Sequence, residues 1–163
     1  MGNARERLES YLSREGVPYE VQHHPRAYTA QQVAESEHVP GRSMAKVVML
    51  VGDGGLGMAV LPAPEHVAPS KFAAAIGWGS ARIAQEADFA NRFADCEVGA
   101  MPAFGNLYDV PVVVDRELSL SPRIVLQAGT HTDTVAVSYA DYERLAHPVV
   151  ADISAGPGEA RLG

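Results

Sequence analysis

Lys46-Val47-Val48-Met49-Leu50-Val51-Gly52-Asp53-Gly54-Gly55-Leu56-Gly57-Met58-Ala59-Val60-Leu61 is the stretch whose reading decides the fold. Two apolar runs, residues 44–51 and 58–61, flank a Gly-Asp-Gly-Gly cluster. Short apolar runs bounded by turn residues read as strands, and the cluster reads as a hairpin turn whose glycines supply positive φ. The same glycines do not form a phosphate cradle. A phosphate loop needs a helix N-terminus after it, and here the chain passes from strand to strand. No Gly-x-Gly-x-x-Gly or Walker pattern follows any other strand.

Working outward from this hairpin, helix and strand signals alternate. Leu8, Tyr11 and Leu12 fall at i, i+3 and i+4, so residues 4–14 read as an amphipathic helix that Gly16 closes with a left-handed cap. Residues 19–22 alternate like a half-buried strand. After His23-His24-Pro25, Thr29 caps a second helix, and Gln32 three residues later completes a capping box. That helix runs to about residue 38, before Val39-Pro40-Gly41.

C-terminal to the hairpin, Pro69-Ser70-Lys71-Phe72-Ala73-Ala74-Ala75-Ile76 reads as a helix with proline near its start and Gly77 at its stop. A short strand is expected at residues 81–83, a helix at 85–93, and a loop at 98–106, where Gly99, Pro102 and Gly105 accumulate. Strands are expected at 110–114, at 123–128 and at 134–137. The first of these is an edge strand or begins at Pro111. Ser138 caps a last helix over residues 139–145, and the tail from residue 154, with Gly156-Pro157-Gly158, is expected to be disordered. This interleaving predicts an α/β or α+β class with a mixed sheet, in a single domain over residues 1–153.

Composition bounds the function. A chain of 163 residues, 47% hydrophobic and 20% charged, suits one core. The net charge of −7 argues against a protein that coats nucleic acid electrostatically. The arginines at 42, 82, 92, 116 and 123 are scattered singly, as on a solvated surface, so any nucleic acid contact is expected to be local and no DNA partner is expected. No apolar segment approaches the about 18 residues that span a bilayer, and the polar N-terminus carries Glu6 where a myristoylation pattern needs Ser or Thr. Cys96 is the sole cysteine, which excludes an internal disulfide and fits a reducing compartment, so a cytoplasmic location is expected. Histidines 23, 24, 38, 66, 131 and 147 include no i, i+4 pair on an expected helix, so no metal site or cofactor is expected. A Gly-x-Ser-x-Gly elbow is missing and Cys96 has no nucleophile signature, which disfavours covalent catalysis.

Three places set unusual residues just outside strands. Lys46 is one of two lysines in the chain, and it opens a buried strand, where its ammonium either snorkels to water or meets an anion. Gly99-Ala100-Met101-Pro102, continued by Ala103-Phe104-Gly105, is turn chemistry or a place where a ligand approaches the main chain. Gly129-Thr130-His131-Thr132 joins two strands, and its histidine is a surface residue or a proton-handling one.

Taken in this order, the lysine in a strand, the glycine-proline element and the Gly-x-His turn resemble the editing domain associated with prolyl-tRNA synthetases, found also as free-standing proteins of the YbaK/ProX type. The resemblance runs from the Thr29-capped helix through Ala128-Gly129-Thr130-His131-Thr132-Asp133-Thr134-Val135 to Ser138-Tyr139-Ala140-Asp141. One departure stands out: the family's loop has three residues between glycine and proline, whereas Gly99 and Pro102 are separated by two. The substrate-facing place then falls to Gly99 or to a neighbouring amide such as that of Ala100.

The resemblance implies a mixed, partly barrel-like sheet flanked by helices, and metal-free hydrolysis of an ester between a wrong amino acid and the terminal adenosine of tRNA. It implies that Lys46 meets a phosphate or ribose oxygen, that amides in residues 99–101 hold the ester carbonyl or the water, and that His131 bonds substrate or water. Thr29 lines the amino-acid pocket as well as capping its helix. Asp115 matches an acidic position of the family, or else pairs with Arg116 or Arg123 in solution. Ala100, Pro102 and Gly129 belong to the substrate-binding set, and Tyr28, Met49, Met101, Phe104 and Thr130 are candidate pocket walls. The partner implied is the tRNA 3′ acceptor end, with recognition of the tRNA body slight or supplied by a synthetase or elongation factor. Two other readings stand beside this one: a non-catalytic module that binds a nucleotide or aminoacyl-adenosine, and a small-molecule hydrolase with no tRNA role.

Overall fold

The structure is a computed structural model that describes residues 3–27, 29–53 and 55–155. Helix α1 (Ala4–Arg14) buries Ala4, Leu8 and Leu12. Asn3 caps it by accepting from the Glu6 amide, and Gly16, at φ +71°, turns the chain out of it as expected. Strand β1 (Glu20–His23) leads to α2 (Ala30–Ser36), where the capping box is present in both directions. The Thr29 hydroxyl accepts from the Gln32 amide at 3.1 Å, and the Gln32 side chain accepts from the Thr29 amide at 3.2 Å.

Strands β2 (Ala45–Gly52) and β3 (Gly55–Pro62) form the expected hairpin, in register from Ala45 opposite Pro62 to Gly52 opposite Gly55. Only two residues lie between the strands, and one of them, Gly54, is outside the described residues. Gly55 has the positive φ a tight turn needs, +98°. Gly52 is glycine for a different reason: a Cβ there would stand 2.3 Å from the Trp78 ring and 2.4 Å from the Ser80 carbonyl oxygen. Helix α3 (Pro69–Ile76) stops at Gly77, φ +84°, and β4 (Ala81–Ile83) follows. Helix α4 (Glu86–Phe89) is a single turn rather than the longer helix expected over 85–93; beyond it the chain winds on as turns through Asn91, a poor helix former.

Strand β5 (Val112–Asp115) begins after Pro111 but lies inside its sheet, not at an edge, with β3 and β8 running parallel to it on either side. Asp115 caps a one-turn helix, α5 (Arg116–Ser119), before β6 (Arg123–Gln127), β7 (Asp133–Ser138), the Ser138-capped α6 (Tyr139–Ala146) and β8 (Val149–Ala151). Neither α5 nor β8 was expected from sequence. Ser154 and Ala155, at the head of the expected disordered tail, are part of the packed structure. Ser154 bridges to Val67, and the Ala155 amide donates to the His66 carbonyl at 2.7 Å. The rest of that tail, residues 156–163, lies outside the described residues.

Among the described residues the strands form two sheets, β1-β7-β6 and β4-β2-β3-β5-β8, and they close no barrel. A single parallel bridge, Met44 to Val125, joins the sheet edges where the expected barrel-like continuity fails. Ile124, Leu126, Val135 and Val137 of the smaller sheet meet Met49, Met58, Val60 and Val114 of the larger, with α1 and α6 completing this core. Val48, Leu50, Leu61 and Val113 pack on Phe72 of α3 across the opposite face. Burial on both faces explains why these strands read as continuous apolar runs rather than as alternation. The outer face of the smaller sheet, Val125 and Ala136, is covered by Ala30, Val33 and Ala34 of α2.

Candidate functional site

Where β2 begins and β6 ends, the two sheets and the start of α2 leave a cavity of about 370 Å³. It is lined by Thr29, Ala30, Gln31, Lys46, Val47, Ala63, His66, Gly99 and Gln127. Of the residues singled out from sequence, Thr29, Lys46 and Gly99 meet here although they lie far apart in the chain. A larger, more open hollow of about 600 Å³ lies between α1 and the turns after α4. It holds none of those residues, and its two arginines are engaged: Arg7 stacks on Tyr108 and donates to the Leu107 carbonyl, and Arg92 donates to the carbonyls of Tyr108 and Asp109.

Lys46 neither snorkels outward nor waits for an anion. Its ammonium donates to the backbone carbonyl of Glu65, in the turn that follows β3. Burial lowers the pKa of the ammonium, and the nearby Glu65 charge offsets only part of that effect. A desolvated cation held by a neutral carbonyl gains when an anionic group enters beside it.

Gly99 enters the cavity through a tight turn. The Ala100 amide donates to the Glu97 carbonyl at 3.0 Å, and Gly99 stands third in this four-residue turn at φ +86°, a conformation that type II turns reserve for glycine. The Ala100 amide is therefore already bonded and Ala100 is fully buried, whereas Gly99 lines the cavity. The shortened glycine-proline spacing does not withdraw the glycine from the site.

The Gly-x-His turn acts from behind. Gly129 exchanges backbone bonds with the turn, accepting from Glu97 at 2.7 Å and donating to Ala100 at 2.9 Å. His131 is 6% exposed, its Nε2 is 2.8 Å from the Val98 carbonyl, its amide donates to the Glu97 carboxylate at 2.8 Å, and its ring lies beside Gly99. It is not among the residues that line the cavity. On the other side, the His24 amide donates to the Thr132 carbonyl and the Ala27 amide to the His131 carbonyl, which anchors the segment that leads into Thr29. Residues 129–132 thus hold two walls of the cavity at once.

The remaining predicted residues among those described lie outside this lining. Met49, Met101 and Phe104 are core, Phe104 packing against Tyr142 at 5.1 Å. Pro102 is buried, and Thr130 donates its hydroxyl to Asp133 at 2.6 Å. Asp115 does not pair with Arg116 or Arg123 but accepts from the amides of Ile153 and Glu117. Tyr28 lies outside the described residues. Cys96 is unsuited to nucleophilic attack, because burial pushes its thiol up to about 12. Among the described residues, no group of three or more His, Cys, Asp or Glu is placed to hold a metal ion. No helix of the described residues is long and apolar enough to cross a membrane.

Sequence reasoning missed His66 and Gln127. His66 sits in a turn after a strand, where nothing distinguishes it from a surface histidine. Gln127 did leave a signal, as the one polar side chain in the run Ile124-Val125-Leu126-Gln127-Ala128. It is 7% exposed, and its Nε2 donates to the Gly99 carbonyl at 3.3 Å.

A family model described as the aminoacyl-tRNA editing domain matches residues 24–145, a span that includes all these cavity residues. Among solved structures the chain is similar to a protein proposed as a trans-editing enzyme for prolyl-tRNA synthetase, with a TM-score of 0.82 at 19% identity over 96% of this chain and 99% of that one. The same figures hold for a scaffold structure from computational epitope grafting. Part of a larger Marinobacter aquaeolei protein, proposed to act in signal transduction, superposes with a TM-score of 0.68 at 17% identity, over 91% of this chain and 30% of that one. At these identities the likeness is one of fold. No curated protein matches the chain in sequence.

Proposed function

Because the chain belongs to the aminoacyl-tRNA editing domain family, we propose that it is a deacylase acting in trans, hydrolysing the ester between a wrong, small amino acid and the 3′-terminal adenosine of tRNA. The observation that carries this reading is the composition of the cavity wall: a desolvated lysine, a glycine at positive φ in a tight turn and polar side chains, with no carboxylate or thiol among the described residues that line it. Such a wall suits a substrate that is already activated. An aminoacyl ester needs its 3′ end positioned and its developing charge stabilised, while water or the neighbouring ribose hydroxyl attacks.

In this mechanism Lys46 releases the Glu65 carbonyl and takes a phosphate oxygen of the terminal nucleotide. The Gly99 amide faces the ester carbonyl, whose oxygen gains negative charge as the nucleophile adds. Thr29 bounds the amino-acid side, and His131 acts on the chemistry only by fixing Gly99. A surface of net charge −7 does not favour the tRNA body, so a synthetase or elongation factor is the natural carrier of the substrate, in the cytoplasm.

A deacylation panel tests this: tRNAs charged with Ala, Ser, Thr, Cys or Pro, each followed with the native protein and with Lys46→Ala. At least one is expected to lose its amino acid faster than in buffer. Lys46→Ala is expected to lower kcat/KM by roughly 10- to 100-fold, about 1.4–2.7 kcal/mol, and to flatten the salt dependence that a phosphate contact confers. A panel in which every rate equals that of buffer sinks the reading.

A further inference from the structure

Gln127 ends β6 with a carboxamide that is only half satisfied. Its Nε2 donates to the Gly99 carbonyl, which fixes the orientation of the amide, while Oε1 is buried and has no hydrogen-bond partner among the described residues. Its surroundings do not supply one. Leu126 and Ala128 on either side are fully buried, and Thr134, opposite it on β7, gives its hydroxyl to the Glu37 carboxylate at 2.8 Å. Buried carbonyl oxygens are rarely left unbonded, and this one belongs to a side chain of the cavity wall. The missing donor is therefore to be sought in what the cavity binds.

We propose that Gln127 Oε1 accepts a hydrogen bond from the α-amino group of the bound aminoacyl ester, so that the site selects esters of free amino acids over N-blocked ones. This rests on the deacylase reading and adds a specificity-determining residue to it. An aminoacyl-adenosine offers three kinds of donor: the amine, the ribose hydroxyl and the adenine amino group. The Gly99 carbonyl, bonded to the Nε2 end of the same carboxamide, keeps a second lone pair, so this wall offers neutral acceptors at both Oε1 and Gly99, which suits an amine with several N–H bonds better than a hydroxyl with one. Charge settles the orientation. The phosphate is drawn to Lys46 and carries the nucleoside with it, and the amine, when protonated, is repelled from Lys46 toward the wall with neutral acceptors. An acyl group on the nitrogen removes both the charge and all but one N–H, and adds bulk against a buried side chain.

The test uses a non-hydrolysable amide that keeps the phosphate, 3′-alanylamino-3′-deoxyadenosine 5′-monophosphate, and its N-acetyl derivative, titrated calorimetrically into the full chain. The native protein is expected to bind the free amine at least about tenfold more tightly than the N-acetyl form. Gln127→Met, which keeps the length of the side chain and removes its carbonyl, is expected to bring the two within about threefold. Equal binding of both by the native protein, binding of neither, or a native-sized preference retained in Gln127→Met overturns the proposal. If Gln127→Met does not fold, the native comparison decides. The two readings fail separately: selective binding without hydrolysis of any charged tRNA sinks the deacylase reading alone. Hydrolysis of N-acetylalanyl-tRNA as fast as alanyl-tRNA sinks this one alone.

Discussion

The walls of the cavity are made in two different ways. Thr29 and Lys46 stand on elements shaped by near neighbours in the chain: a capping box that spans three residues, and a hairpin with a two-residue turn. Gly99 and Gln127 are held by contacts between segments about thirty residues apart: the Glu97–Gly129 and Gly129–Ala100 backbone bonds, the His131–Val98 bond and the Gln127–Gly99 bond. The first wall takes its shape from its local sequence, although the His24 and Ala27 amides tie the segment before Thr29 to the β6–β7 turn. The second takes its shape only from the assembled smaller sheet, so damage there should reach both stability and chemistry, while damage to the first should have the smaller effect.

The sharpest way to break this contrast is at Gly129. An alanine there would have to adopt φ +94°, and its Cβ would stand 2.3 Å from the Cβ of Ala4 in α1. Backbone strain and overlap together are expected to cost roughly 3 kcal/mol or more, a fall in Tm of about 6–12 °C for a domain of this size. Thermal unfolding followed by circular dichroism measures it. Adding Ala4→Gly removes the overlap but not the strain, and should return part of the loss. Gly129→Ala with native stability would mean that the turn does not hold the second wall.

Thr29→Ala is the matching test of the first wall, with a smaller effect. It deletes the hydroxyl that accepts from the Gln32 amide, which typically costs about 1 kcal/mol. Thr29→Ser keeps the hydroxyl and should restore the stability. Urea unfolding separates the two roles of this residue. If Thr29→Ser recovers both stability and deacylation, the cap is its whole contribution; if stability returns and activity does not, the methyl group shapes the amino-acid side of the cavity.

The same division decides how much was legible in sequence. The Thr29 capping box, the hairpin, the Gly77 stop and the Ser138 cap are all written within a few residues and were readable. Strand β8 is three residues long and pairs in parallel with β5, from which it is separated by α5, β6, β7 and α6, so no local pattern announces it. The split into two sheets is equally invisible, because Met44 and Val125, where they touch, are ordinary apolar strand residues. Lys46 and Gly99 were found as rare residues in awkward places. His131 was found too, but a sequence does not reveal which side of a loop a histidine occupies, and its place beside Gly99 was not legible. Polar residues inside apolar strands are the signal worth adding, and Gln127 is the example.

Two buried aspartates, one in each sheet, offer the finest comparison, through pH. Asp133, at the start of β7, is desolvated, which alone would raise its pKa. The Thr130 hydroxyl, the His23 ring and the Arg5 guanidinium together outweigh that and hold it below its ordinary value of 3.8. Its native state gives up the proton more readily than the unfolded chain, so the stability it contributes is present above about pH 4 and is lost as pH falls through the depressed value. Asp115, at the end of β5, has the opposite sign. Burial raises its pKa, and the Ile153 and Glu117 amides only partly counter this. Protonation therefore favours its folded form, and acidification through the raised value adds stability at this site. Asp133→Asn should lower stability at neutral pH and flatten the acid limb of a urea-midpoint profile taken from about pH 3 to about pH 7. Asp115→Asn keeps an acceptor for an amide, so it should change neutral-pH stability by no more than about 1 kcal/mol and make the acid limb steeper. If both substitutions bend the profile in the same direction, the two carboxylates do not differ as their surroundings require, and the ion cluster around the β6–β7 turn is not what holds the second wall in acid.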